Sequence, residues 1–261
     1  MPRFAANLSF MFTDRPMIER FGAAAAAGFR AVEIGSSYDQ DAGAMRAEID
    51  RHGLTMLGVN TPQLPDAAWG LAGVPGREAE FDARFARALD LVRTLGGRAI
   101  HCLAGIVPAP QQAAAEPILV ASLQRAADLA APHGLTILTE PINHRDCPDY
   151  LLSRVEQAAE IIAAVQRPNI RMQFDFYHAQ IMGGDLIRRF ERYLPVIGHV
   201  QIAGVPTRAE PDVGEVHYPA IFDALDASGY AGWVGCEYKP RGKTEDGLAW
   251  GAAFGLGGAR S

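Results

Sequence analysis

Short apolar runs alternate with longer stretches of helical period along the whole chain. RFAANLSF, FRAVEIG, LTMLGVN, RAIHCLAG, LTILTEP, IRMQFDF, GHVQIAG and GWVGCEY are largely apolar, as parallel strands covered on both faces should be. Between them lie segments of helix length: MIERFGAAAAA, AGAMRAEIDR, REAEFDARFARALDLVRTL, EPILVASLQRAADLAA, VEQAAEIIAAV, GDLIRRFERYL and PAIFDALDAS. Several hand over to the next strand through a glycine, namely Gly28, Gly53, Gly97, Gly134 and Gly229, a residue suited to the left-handed conformation that ends a helix. Eight uninterrupted β-then-α units predict an α/β protein of one domain, a (β/α)8 TIM barrel. The barrel is expected over residues 1–254, with a flexible tail of small residues at 255–261.

Composition narrows the chemistry. The 261 residues are 49% hydrophobic, ample for one large core. A net charge of -6 disfavours a nucleic-acid partner, which calls for a basic face, and points to a small molecule. No run approaches the roughly 20 apolar residues of a membrane span, and the opening MPRFAANLSFMF has no sustained apolar core ahead of a cleavage site. A cytoplasmic protein is the expectation. No GxGxxG follows the first strand and no GxxxxGKS loop occurs, so no nucleotide cofactor is expected. Cys102, Cys147 and Cys236 form no CxxC pair and read as reduced thiols, two of them core packing.

Four of the predicted strands, all in the second half of the chain, close on an oxygen-bearing side chain: Glu140, Asp175, Gln201 and Glu237, at spacings of 35, 26 and 36 residues. One polar residue at a strand end is ordinarily a helix cap or a loop hydrogen-bonder. Four in register on strands five to eight meet at the C-terminal mouth of a barrel, where active sites form. Buried carboxylates so gathered need a cation to compensate them, and an all-oxygen set suits Mg2+ or Mn2+ better than zinc. The long loop TPQLPDAAWGLAGVPG after strand three lies on the same face, either as a substrate lid or as a packed surface loop.

EPINH at 140–144, DFYHAQ at 175–180, GHVQIAG at 198–204, RAEPDVGEVHY at 208–218 and GYAGWVGCEYKPRGKTEDGLAW at 229–250 resemble the hydroxypyruvate isomerase family, as do FAANLSFMF and PGREAEF. That family sits within the xylose-isomerase-like barrels and includes the similar 2-oxo-tetronate isomerases. The resemblance implies a divalent metal at Glu140, Asp175, Gln201 and Glu237, with Glu140 and Glu237 also moving the proton. It implies interconversion of hydroxypyruvate and tartronate semialdehyde through an enediolate. MPRFAANLS, HAQ and CEYKPRG are also similar to the 2-oxo-tetronate branch, so that acid is the runner-up. Other members of the superfamily (ketose 3-epimerases, sugar dehydratases and abasic-site endonucleases) and an idle sugar-acid-binding barrel are further alternatives. The epimerases carry histidine where Gln201 stands, and the endonucleases need more histidines and a basic groove. The expected partner is a small sugar acid, with a homo-oligomer left open.

The remaining candidates are substrate contacts. His178, three residues beyond Asp175, is expected to meet a substrate oxygen. Arg208 offers a planar fork for a carboxylate, and Lys239 is expected to share a face with Glu237 by strand alternation. Asn7, His101, Asn143 and His144 also fall near strand ends. Buried hydrogen bonding is the expected role for that group, with Asn7 kept as a substrate candidate.

Overall fold

The computed structural model describes residues 1–63 and 65–257. Eight parallel strands close into a barrel in chain order: β1 (Arg3–Asn7), β2 (Ala31–Ile34), β3 (Thr55–Asn60), β4 (Ala99–His101), β5 (Thr136–Thr139), β6 (Ile170–Asp175), β7 (Ile197–Ile202) and β8 (Trp233–Cys236). The outer layer comprises α1 (Met17–Ala26), α2 (Ala42–Arg51), α3 (Glu78–Leu95), α4 (Gln112–Ala130), α5 (Val155–Val165), α6 (Phe176–Met182), α7 (Leu186–Tyr193) and α8 (Tyr218–Ala227). The predicted TIM barrel is therefore the fold. Outward strand residues such as Phe4, Val32, Ile100, Phe174 and Val234 are buried against the helices, which is why these strands read as apolar runs. All three cysteines are free and buried, one more than expected in the core.

Three details depart from the sequence reading, and a fourth, the loop after β3, takes one of the two forms expected of it. The left-handed residue that ends α3 is Gly96, with φ 71°, rather than Gly97. Two helices, not one, separate β6 from β7; α6 starts at Phe176 because Asp175 accepts a hydrogen bond from the Tyr177 N–H at 2.8 Å, capping the helix as the strand ends. The loop after β3 is packed: Trp69 stands edge-on to Tyr150, Gly70 pairs with Ala104, and Arg77 and Arg84 both reach Asp66. Of the expected tail, Leu256 is buried and the Gly257 N–H donates to the Ala27 carbonyl, while 258–261 lie outside the described residues. Among the described residues no helix is long and apolar enough to cross a membrane.

Candidate active site

Glu140 and Glu237 stand one residue past the ends of β5 and β8, while Asp175 and Gln201 are paired in register on β6 and β7. The C-terminal mouth of the barrel gathers Glu140, Asp175, Glu237 and His178 so closely that one ligand atom from each lies within 4.8 Å of the others. All are buried. Glu140 Oε2 accepts from Gln173 Nε2 at 3.0 Å, and Asp175 Oδ1 is taken by the α6 cap. Glu237 Oε1 accepts from Asn7 Nδ2 at 3.0 Å and its Oε2 from Arg208 Nη2 at 2.5 Å. Among the described residues, Glu140 Oε1, Asp175 Oδ2 and Gln201 Oε1 are buried without a hydrogen-bond partner. Such orphaned acceptors are rare in a folded protein and need an explanation.

Electrostatics agrees with the geometry. Burial, followed by the Glu237 and Asp175 charges, raises the Glu140 carboxyl well above its ordinary range. Burial pushes Asp175 up to about 6 and Glu237 up to about 7, in both cases against the pull of Arg208. Three carboxylates thus share one guanidinium, and full ionisation requires more positive charge. Unpaired oxygens in an over-anionic, buried ring fit a hard divalent cation.

His178 does different work from the carboxylates. The Asn143 backbone N–H and Nδ2 approach its Nδ1 at 3.3 and 2.6 Å; two donors at Nδ1 make that nitrogen the acceptor and place the ring proton on Nε2. Burial, then the Arg208 charge, lowers the ring well below the usual histidine range, so it is neutral. Its Nε2–H lies 3.7 Å from Asp175 Oδ2 and 3.9 Å from Glu140 Oε1. This tautomer makes His178 a donor into the site, whereas Gln201 offers a free acceptor.

Arg208 is clamped between the rings of Phe10 and Tyr177, at 4.9 and 5.0 Å from their centroids, and also reaches Asp146 at 3.4 Å. Its backbone takes the left-handed φ of 56°, a strain of about 1 kcal/mol or more for a residue with a side chain. Its Nε is buried without an acceptor. Lys239 is not brought into the site: β8 ends at Cys236, the side chain is exposed, and only its backbone N–H takes part, donating to the Arg208 carbonyl at 2.7 Å. Asn7 is present but committed elsewhere. Its Nδ2 donates to both Glu33 and Glu237 and its Oδ1 accepts from the Ser9 N–H, so both amide protons are spent on holding the two carboxylates.

A family model described as the xylose isomerase-like TIM barrel matches residues 21–254. The chain belongs to this family. A 2-oxo-tetronate isomerase of Cupriavidus necator is 47% identical over 96% of this chain and 97% of its own length. A hydroxypyruvate isomerase of Escherichia coli is 40% identical over 96% of this chain and 98% of its own length. A Brucella melitensis crystal structure titled AP endonuclease, family 2, superposes with a TM-score of 0.94 at 47% identity, covering 97% of this chain and 99% of that one.

Within this member of the family, the site contains Gln173 and Glu33, which the strand-end pattern missed, together with His101, for which buried hydrogen bonding is the expected role. Gln173, one turn of the pleat below Asp175, holds Glu140. His101 lies 3.7 Å from Glu140 Oε2 and is driven down to about 3 by burial, hence neutral. Glu33 on β2 accepts from Asn7, His199 and Gln201. FRAVEIG carried the same signal as the four chosen runs, a carboxylate near the end of an apolar strand.

Proposed function

We propose that this chain isomerises short 2-oxo-3-hydroxy carboxylic acids, moving the carbonyl from C2 to C3, with Glu140, Asp175, Gln201 and Glu237 holding Mg2+ or Mn2+. The observation that carries the reading is the set of three buried, unpartnered oxygens on Glu140, Asp175 and Gln201, beside carboxyls raised by burial and, for Glu140, by the Glu237 and Asp175 charges as well. A divalent cation held there supplies positive charge that polarises the substrate oxygens and stabilises the negative charge developing on them. Glu140 and Glu237 move the carbon-bound proton, one taking it from C3 and the proton being returned to C2 through an enediolate, while the C3 hydroxyl gives up its proton and the C2 oxygen gains one. A carboxylate suits both halves of that transfer, taking the proton when ionised and returning it when protonated. The neutral His178 donates its Nε2–H to a substrate oxygen. Arg208, with Nε free and its plane fixed between two rings, receives the substrate carboxylate.

The bond changes are the same for hydroxypyruvate, which gives tartronate semialdehyde, and for 2-oxo-tetronate, which carries CH2OH in place of one hydrogen on C3. EPINH favours the three-carbon acid, but the 47% identical relative is named for the four-carbon acid. We therefore place 2-oxo-tetronate first. An endonuclease reading, suggested by the Brucella melitensis title, needs a basic groove for the phosphate backbone, and the net charge here is -6. The test is protein stripped of metal and resupplied with Mg2+, incubated with each acid in D2O and followed by NMR, with an abasic duplex in parallel. Metal-dependent interconversion is expected for both acids, with a higher kcat/KM for the four-carbon one. Full turnover by metal-free protein, or cleavage of the duplex with no isomerisation, would overturn the reading.

A further inference from the structure

Beneath the ring of ligands, the barrel interior is polar and hollow rather than filled by bulky aliphatic layers. A cavity of about 340 Å³ is lined there by Asn7, Glu33, His101, Gln173, His199 and Gln201 among others. At its centre the Glu33 carboxylate accepts from Gln201 Nε2 at 2.7 Å, from His199 Nε2 at 2.6 Å and from Asn7 Nδ2 at 3.1 Å. Strand β8 makes room for this contact. A Cβ on Gly235 would lie 2.5 Å from Glu33 Oε1 and 2.9 Å from Gln201 Cγ, so both side chains would have to shift to admit it.

A glutamine amide has two faces of opposite polarity, and only its oxygen can serve a cation. An ionised carboxylate accepts and never donates, so a glutamine held against one must turn its NH2 toward the carboxylate and its oxygen away. Gln201 obeys this: Nε2 is on Glu33, and Oε1 is buried and unpartnered. We infer that Glu33 is a positioning residue that fixes the amide orientation of Gln201, so that the oxygen rather than the NH2 faces the cation. The inference rests on the proposal that Gln201 is a metal ligand. It extends that proposal by giving the one uncharged ligand a partner that enforces its polarity, as partners behind other metal ligands do.

The experiment is calorimetric titration of metal-free protein with MnCl2, with unfolding midpoints recorded alongside. Glu33→Gln keeps the shape but allows the amide of Gln201 to turn over, and Mn2+ affinity is expected to fall about 10- to 100-fold. Because Glu33 acts through Gln201, the two losses must not multiply. Gln201→Ala combined with Glu33→Gln is expected to bind Mn2+ within about threefold of Gln201→Ala alone. Should Glu33→Gln fail to fold, Glu33→Asp, which keeps the charge but withdraws the acceptor, carries the same cycle. Unchanged affinity in the Glu33 variant, or a double variant whose loss approaches the product of the singles, would overturn the inference while leaving the metal site intact. A wild-type protein that takes up no Mn2+ would overturn both.

Discussion

Raising the pH of the metal-free protein should destabilise it through Asp175 and Glu237. Burial lifts the Asp175 carboxyl from 3.8 to about 6 and that of Glu237 from 4.5 to about 7. Because the folded values lie above the unfolded ones, the native state holds extra protons between roughly pH 4 and 7. The stabilising contribution is complete below about pH 4 and drains away as the pH rises through 6 and 7. At about 1.4 kcal/mol per pH unit, each group gives up roughly 3 kcal/mol by pH 8. The two share the fields of Arg208 and Glu33, and Asp175 acts on Glu237 directly, so their sum is an upper bound. For a chain of this size a loss of that order lowers the melting temperature by roughly 10 °C. Bound cation reverses the effect, since it selects the ionised carboxylates and competes with their protons. Melting curves from pH 5 to 8, with chelator and with saturating Mn2+, should therefore diverge as the pH rises. Parallel curves would refute both the raised carboxyls and their service to a cation.

Further expectations follow from the same geometry. Glu140→Gln and Glu237→Gln each keep an oxygen but remove the proton carrier, so kcat should fall about 10²- to 10⁴-fold in steady-state assays; a near wild-type kcat would remove that residue from the transfer. Arg208→Ala loses the carboxylate's charge-assisted partner, at about 1.5–3 kcal/mol, and should raise KM or lower kcat/KM by roughly tenfold or more for both acids; Lys239→Ala, exposed, should leave the kinetics unchanged. Gly70→Ala should destabilise the loop after β3 by 1 kcal/mol or more in urea titrations, because φ is 87° and a Cβ would strike the Leu103 backbone.

The barrel was legible because parallel strands buried on both faces announce themselves as unbroken apolar runs, and the carboxylates because they interrupt those runs. Glu140, Asp175 and Glu237 are brought together as that pattern predicts, and Gln201 sits in register beside Asp175. Glu33 carried the same mark, but its role depends on contacts with His199 and Gln201 more than 160 residues away, which no local pattern encodes. Lys239 failed for a local reason: alternation holds only while the strand lasts, and β8 stops three residues earlier. Asn7 lies near the mouth as expected, but a sequence does not reveal that two carboxylates take both of its amide protons. His178 needed the opposite information, namely which of its nitrogens Asn143 occupies.

The seam where β1 meets β8 has a consequence for synthesis. Asn7, in the first strand, reaches its partner Glu237 across 230 positions, and the Phe12 N–H donates to the Thr244 hydroxyl over the same junction. A growing chain on the ribosome therefore carries an open sheet and three of its four proposed ion-holding residues until nearly all of it has been made. The last strand to emerge both closes the cylinder and leads into Glu237, the fourth of those proposed residues. Barrel closure thus waits for the end of the chain, and loss of the C-terminal stretch beginning at Trp233 removes the closing strand and Glu237 together.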